Sequence, residues 1–426
     1  MTSTGSPARA SKVGAGWFVL FTLAWLAIWT VQLTPVQLLL PSQLDTPGAR
    51  DTWVYGVVYS GIVLGVGGLA GVIAGPLSGA LSDRTRTRWG RRRPWAVGAS
   101  GLTAVCLVFT GLAQGPWLIG LAWTGVSIGI AVASAAFTAL IADQLPESQR
   151  GAAAAATSSS QAVGIVVGVG AVVLLGLSVF AGYLALAVFI AIVGTATAAL
   201  LPDPPAEPSA APAHPPGARR GLPWESLRDR DFAWVVWGRF VTNVGNALPT
   251  TLFLFFLMYG LGQEKAEAED NLLLVIVVYT VFVVAASVLA GWWSDRTGAR
   301  RSLTVVSALV QAASMVVIVV APSFTMTMIG AAVLGLGYGA FSTVGLAFAT
   351  DLLPHPDDNA RDLGLVNTSA ALGQLVGPLV GATLVALVGG FWLLLIVSTV
   401  LSAAGAVMSG RARERSSSQE PDPAPR

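Results

Sequence analysis

Long apolar stretches dominate the chain, and polar residues gather in short breaks between them. A helix that crosses a membrane needs about 20 mostly apolar residues. By that rule helices fall near 16–40, 53–81, 95–113, 117–142, 153–178 and 181–201. After a break, six more fall near 232–260, 271–293, 303–321, 324–350, 364–388 and 391–410. Turns such as Gln114-Gly115-Pro116 and Ala321-Pro322-Ser323 separate neighbouring runs, since glycine and proline punctuate helices. The pattern predicts an all-α membrane protein with twelve transmembrane helices in two six-helix halves. It divides the chain into an N-terminal segment, 1–15, a first bundle, 16–201, a linker, 202–231, a second bundle, 232–410, and a tail, 411–426. The linker is dense in proline and alanine and is expected to be semi-extended, with its last residues, Pro223 to Asp231, suited to a short surface helix. The polar tail is expected to be disordered.

Composition agrees with this class. Hydrophobic residues make up 54% of the chain and charged ones 11%, whereas about a quarter is charged in soluble domains. The first apolar stretch, Trp17 to Leu40, is too long for the core of a cleaved signal peptide and reads as a span. A lone cysteine, Cys106, excludes an intrachain disulfide and a cysteine metal cluster. The two histidines, His214 and His355, lie in proline-flanked loops without metal-ligand company. No cofactor, metal or nucleic-acid partner is therefore expected. The chain shows neither a catalytic acid–base constellation nor a Gly-Lys-Ser/Thr phosphate loop, so an enzyme and a nucleotide-driven pump are both disfavoured.

The basic residues are unevenly placed, and this sets the expected orientation. Gly79 to Pro94 carries Arg84, Arg86, Arg88, Arg91, Arg92 and Arg93 between two apolar runs, just after Asp83. A shorter version, Gly291 to Arg301, carries Asp295 and Arg296 and lies 212 residues on. With both termini inside, 21 of the 24 basic residues fall on the inner side, Arg50 and Lys265 fall outside, and Arg239 alone falls within a span. Loops rich in arginine stay cytoplasmic. The expectation is a plasma (inner) membrane protein with both termini cytoplasmic and anionic lipids near the arginine loops.

The halves echo one another beyond these loops. Ala142-Asp143-Gln144-Leu145-Pro146 resembles Thr350-Asp351-Leu352-Leu353-Pro354, and Gln161-Ala162-Val163-Gly164 resembles Gln374-Leu375-Val376-Gly377. Two parallel six-helix repeats are the plan of major facilitator halves. The chain resembles the major facilitator superfamily over essentially all of 16–410. The signature is Gly79-Ala80-Leu81-Ser82-Asp83-Arg84 followed by Gly90-Arg91-Arg92-Arg93-Pro94. Its lengthened middle, Thr85 to Trp89, is similar to the glycoside–pentoside–hexuronide and sucrose-transporter branch of actinobacterial type. The resemblance implies alternating access, and a conformational latch of Asp83, Arg84, Asp295 and Arg296, in which each acid meets an arginine and the N-terminus of a helix in the opposite half, near Gly151 or Gly364, and closes the cytoplasmic side. A purely orienting role for these loops is the alternative. The chain departs from cation-coupled relatives in two places: Ser127 to Thr138 has no ionisable group, and Gly345 stands where relatives often carry a carboxylate. Proton coupling is therefore doubtful, and coupling to sodium, or to nothing, is left open.

Arg239, Asn243, Asn246 and Thr250 recur at helical spacing and share one face of the seventh span. An ionisable residue inside a membrane is a functional candidate by default. Arg239 is thus a substrate or gating contact, or a structural partner of Asp143 or Asp351, or a side chain snorkelling to the surface. Trp25, Trp29 and Gln32 recur at i, i+4 and i+7, ahead of Gln37, and offer aromatic faces and amides suited to flat hydroxylated molecules; lipid or helix packing is the alternative. The resemblance, which implies a pathway lined by the first, fourth, seventh and tenth spans, adds Tyr338 and Ser342, with Ser134, Thr138 and Thr343. Gln374, Gln161 and Asn367 come from the fifth and eleventh spans. The expected function is secondary transport of a small, neutral, polar, sugar-like solute by a monomer. Efflux of a drug or metabolite is the alternative, and a transporter-like receptor without flux is the alternative of another class.

Overall fold

The computed structural model describes residues 12–45, 52–203, 223–354 and 359–413. The structure is all-α. We number the helices α1 (Ala15–Leu44), α2 (Trp53–Arg84), α3 (Arg93–Leu112), α4 (Pro116–Gln144), α5 (Glu147–Leu174) and α6 (Val179–Leu200). In the second half they are α7 (Arg230–Thr251 with Phe253–Gly260), α8 (Lys265–Thr297), α9 (Arg300–Val320), α10 (Phe324–Asp351), α11 (Asn359–Val388) and α12 (Trp392–Arg411). Among the described residues, 11 helices are long and apolar enough to cross a membrane, and α7 makes twelve when its two pieces count as one span. The linker residues 204–222 and the tail residues 414–426 lie outside the described residues. Pro223–Arg228 forms a short 3-10 turn, and α7 follows it directly.

The chain divides into two units, 1–213 with 265–273, and 214–264 with 274–426. In the first, α1 packs along α5, and α4 is wedged between α2 and α3. The first residues of α8 belong here too: Lys265 Nζ donates to Ser42 O at 2.9 Å, and Ser42 Oγ donates to Glu269 Oε1 at 2.8 Å. In the second unit α9 runs along α10 and α12, and α7 runs along α11 and α12. α7 and α12 approach so closely that a methyl group on Gly405 would lie 2.0 Å from Thr242 Oγ1. Small residues at such crossings let two backbones meet where water supplies no hydrophobic drive. The outward faces carry Leu69, Ile73, Leu77, Trp117, Leu121, Val288 and Leu289, all well exposed. That apolar exterior suits a hydrocarbon solvent.

α7 is bent by 49° where its two pieces meet, just after Pro249. Proline has no N–H, so the carbonyl four residues earlier loses its helical partner. That carbonyl is Gly245 O, and Ser398 Oγ of α12 donates to it at 2.6 Å. A hydroxyl from the neighbouring helix thus satisfies the rung that proline removes.

Candidate functional site

In the first unit the ends of three helices meet at one arginine. Arg92, at the start of α3, donates from Nη2 to Asp83 Oδ1 at 2.6 Å and from Nε to Asp143 Oδ2 at 3.2 Å. Its Nη1 donates to the Ser82 hydroxyl, and Arg91 also reaches Asp83 at 3.1 Å. Asp83 closes α2 and Asp143 closes α4, so Arg92 ties α2, α3 and α4 together. The loop before it is shaped by Asp203, just beyond α6. Asp203 Oδ2 accepts from the backbone N–H groups of Arg92 and Arg93, each at 2.7 Å. A carboxylate there fills the unpaired donors of a helix start and complements its dipole. Gly90 makes the approach possible: its φ is +105°, and any side-chain carbon there would lie 2.1 Å from Asp203 Oδ2. Arg93 Nη2 completes the closure by donating to Leu201 O at 2.9 Å.

The second unit repeats the device with a shorter loop. Arg300, at the start of α9, lies 3.8 Å from Asp295 and also pairs with Asp351. It ties α8, α9 and α10. Arg301 donates to Gly410 O at the end of α12, as Arg93 does at the end of α6. The arginines that meet Asp83 and Asp295 are therefore not Arg84 and Arg296. Successive residues on a helix point in different directions, so Arg84 turns away from the side that Asp83 presents. Arg84 is exposed, and Arg296 lies over the Trp292 ring with its Cζ 4.1 Å from the centroid. Arg92 and Arg300 stand 208 residues apart, as do Asp143 and Asp351. That shared spacing was the available signal for the missed arginines. At the same spacing from Asp203 stands Arg411, which is no acid.

Arg239 takes neither of the acidic partners expected for it: Asp143 is held by Arg92 and Asp351 by Arg300. It does not snorkel either, for the residue is 6% exposed. Its Cζ lies 5.7 Å from the Phe341 ring centroid, and it interacts electrostatically with Tyr338. Tyr338 stacks on Tyr279 at 6.3 Å, and Tyr279 lies close to the Asn246 side chain. Asn243 and Asn246 are both buried. Asn243 Nδ2 is used on Arg239 O at 2.8 Å, and Thr250 Oγ1 on Asn246 O at 2.9 Å. Asn246 Nδ2, Arg239 Nε and Arg239 Nη1 have no hydrogen-bond partner. Buried donors are normally paired, so open ones ask for an explanation.

In the first unit, Trp25 and Trp29 form part of an aromatic ladder on α1, with ring centroids 6.1 Å apart. Trp25 is buried and Trp29 half-buried, and neither indole Nε1 has a partner. Gln32 and Gln37 are half-buried, as are Gln161 and Ser134; Thr138 is exposed. In the second unit Ser342 is half-buried and donates to Gly339 O at 3.0 Å, while Gln374, Asn367 and Thr343 are exposed.

Helices of this number and apolarity, laid out as two repeats with matched charged clusters, define a multi-pass membrane transporter. The chain belongs to the Major Facilitator Superfamily, whose family profile matches residues 4–169, 61–269 and 266–426. The family is one of transporters, not enzymes. Over 60 residues, 14% of this chain, it is 48% identical to an uncharacterized symporter of Synechocystis sp. (strain ATCC 27184 / PCC 6803 / Kazusa). That match spans 10% of the relative's length. Among solved structures, the fold is shared with a bacterial homologue of the human lysosomal transporter Spinster, in its inward-facing, unoccupied conformation. The TM-score is 0.69 at 16% identity, covering 94% of this chain and 98% of the other. It is also shared with a point mutant of the nucleoside transporter NupG, at a TM-score of 0.70 and 14% identity, covering 92% of this chain and 97% of the other.

Proposed function

We propose that the protein is a secondary transporter that carries a small polar, sugar-like solute by alternating access. The observation that carries this reading is the buried polar face of α7, where Arg239, Asn243 and Asn246 sit away from solvent with donors still open. Lipid offers such donors nothing, and a hydroxylated guest offers many acceptors. The open indole N–H groups of Trp25 and Trp29 support the same chemistry in the first half. Gln32, Gln37, Thr250, Tyr338, Ser342 and Gln374 complete the proposed substrate contacts. The Asp83–Arg92–Asp143 and Asp295–Arg300–Asp351 clusters are proposed as the conformational latch. The branch assignment, to the glycoside–pentoside–hexuronide and sucrose-transporter type, rests on the lengthened loop Thr85 to Trp89.

The proposed setting is the plasma membrane, with the arginine loops and both termini cytoplasmic and the protein monomeric. Cysteines placed singly at the α2–α3 and α1–α2 loops test it: an impermeant thiol reagent added to intact cells should label only the latter. Symport is a second reading, favoured by the resemblance to the uncharacterized symporter of Synechocystis. The stretch Ser127 to Thr138 and position 345 supply no carboxylate, so a sodium gradient is the first driving force to apply and a proton gradient the second. The deciding experiment is exchange of radiolabelled solute across proteoliposomes. Saturable exchange of sugars or polyols supports the reading. Binding without exchange would make the protein a receptor, and exchange confined to lipophilic cations would make it a drug exporter.

A further inference from the structure

We infer that Arg239 is a receptor for an oxyanion, and that the transported solute carries a carboxylate or phosphate besides its hydroxyl groups. The inference deepens the transport reading above and rests on it. Its basis is a missing counter-charge. Arginine stays protonated under all ordinary conditions, so its charge cannot be shed on burial. A buried charge is costly unless it is paired, and pairing partners inside proteins are carboxylates or phosphates held by a two-pronged fork of N–H groups. Arg239 is 6% exposed, yet among the described residues no carboxylate lies within ion-pair distance of it. The Phe341 ring, 5.7 Å away, gives it a π face rather than an anion.

The open side of the guanidinium has a defined place. Nη1 and Nε lack hydrogen-bond partners, and a carbon built onto Gly345 of α10 would lie 3.0 Å from Nη1. The bare backbone at Gly345 thus leaves room beside the guanidinium where a side chain would otherwise stand. Around it, Tyr338 and Asn246 supply polar atoms, and Asn246 Nδ2 is a further open donor. On Arg239 itself the open atoms, Nε and Nη1, are donors only. A neutral polyol brings donors and acceptors in equal measure, while an oxyanion brings acceptors only. The set matches the oxyanion.

The test uses the full-length protein in lipid nanodiscs and follows thermal unfolding by tryptophan fluorescence. Matched pairs isolate the charge: gluconate against sorbitol, and glycerol 3-phosphate against glycerol. At least one acid should stabilise the protein at concentrations tenfold or more below its neutral partner, and the pair that responds tells carboxylate from phosphate. Arg239→Gln should erase that preference. Arg239→Lys should keep part of it, since an ammonium is a point charge without the fork. Should Arg239→Gln fail to fold, Gly345→Asp is an independent arm. It puts a carboxylate beside Nη1, and should raise the melting point of the empty protein while abolishing acid binding. The inference falls if acid and neutral partners act alike, if no acid shifts the wild type, or if Gly345→Asp leaves acid binding intact. Sorbitol or glycerol exchanging in proteoliposomes while the acids do not bind would overturn the oxyanion and leave transport standing. An acid that binds through Arg239 yet never crosses would overturn transport and leave the oxyanion site.

Discussion

The two charged clusters have the same parts and very different surroundings. Arg92 has a side chain only 7% exposed, against 28% for Arg300, and its contact to Asp83 is 2.6 Å where Arg300 lies 3.8 Å from Asp295. Ser82, beside Asp83, receives the Arg92 guanidinium and donates to Gly79 O. Its counterpart Ser294, beside Asp295, is buried with its hydroxyl unpartnered. The first loop also has Asp203 clamped on its backbone, at Arg92 and Arg93. A duplicated sequence has thus been developed into one buried fastening and one more exposed one, each with a second acid in direct contact. Coulombic pairs gain strength as water is excluded, so the same three residues hold more firmly in the first half than in the second.

The difference can be broken from its strongest point downward. Arg92→Ala leaves two carboxylates without their shared partner and should cost about 1.5–3 kcal/mol, the range of hydrogen bonds to charged groups. Reversible denaturation in mixed micelles measures it, and a loss no larger than that of Arg300→Ala would end the claim of asymmetry. Asp203→Asn removes the charge from the start of α3 and should cost about 1 kcal/mol by the same measurement. Double mutation with Arg92→Ala should be non-additive, because both act on one loop. Arg300→Ala should cost at most about 1 kcal/mol, as half-exposed pairs do, and should be largely masked by 0.5 M salt. The smallest effects sharpen the contrast most. Ser82→Ala should destabilise by about 1 kcal/mol, while Ser294→Ala, which deletes an unpartnered hydroxyl, should be neutral or slightly stabilising. Equal losses at the two serines would mean that Ser294 has a partner in solution.

Much of the fold was legible because its signals are long. Runs of 20 and more apolar residues survive any local ambiguity, and the span limits read from them fall within a few residues of the observed helices, apart from longer starts to α5, α8 and α11. The bend in α7 was not read, although Pro249 was noted, because proline alone does not say whether a neighbour will satisfy the freed carbonyl. The charged clusters were half legible. Asp83, Asp143, Asp295 and Asp351 stood out by repetition, but the arginine beside each acid in sequence is not the one beside it in space. Asp203 was hidden inside a proline-rich stretch that reads as linker, and its role depends on α6 ending next to the start of α3. The face of α7 was visible from helical spacing. That Arg239 would find no acid was not, since two acids of suitable depth were on offer and both proved to be engaged elsewhere.

The junction of Pro249 with Ser398 has a mechanical side. A straight helix transmits rotation from one end to the other through its ladder of backbone bonds, and at Pro249 that ladder lacks a rung. The stem that carries Arg239 and the tip from Phe253 to Gly260 are therefore joined by a compliant coupling. Because the Ser398 hydroxyl closes the gap, that coupling is also the point at which α12 grips α7. Twist applied at the tip is shared with α12 before it reaches the stem, and the two helices act at this level as one jointed part.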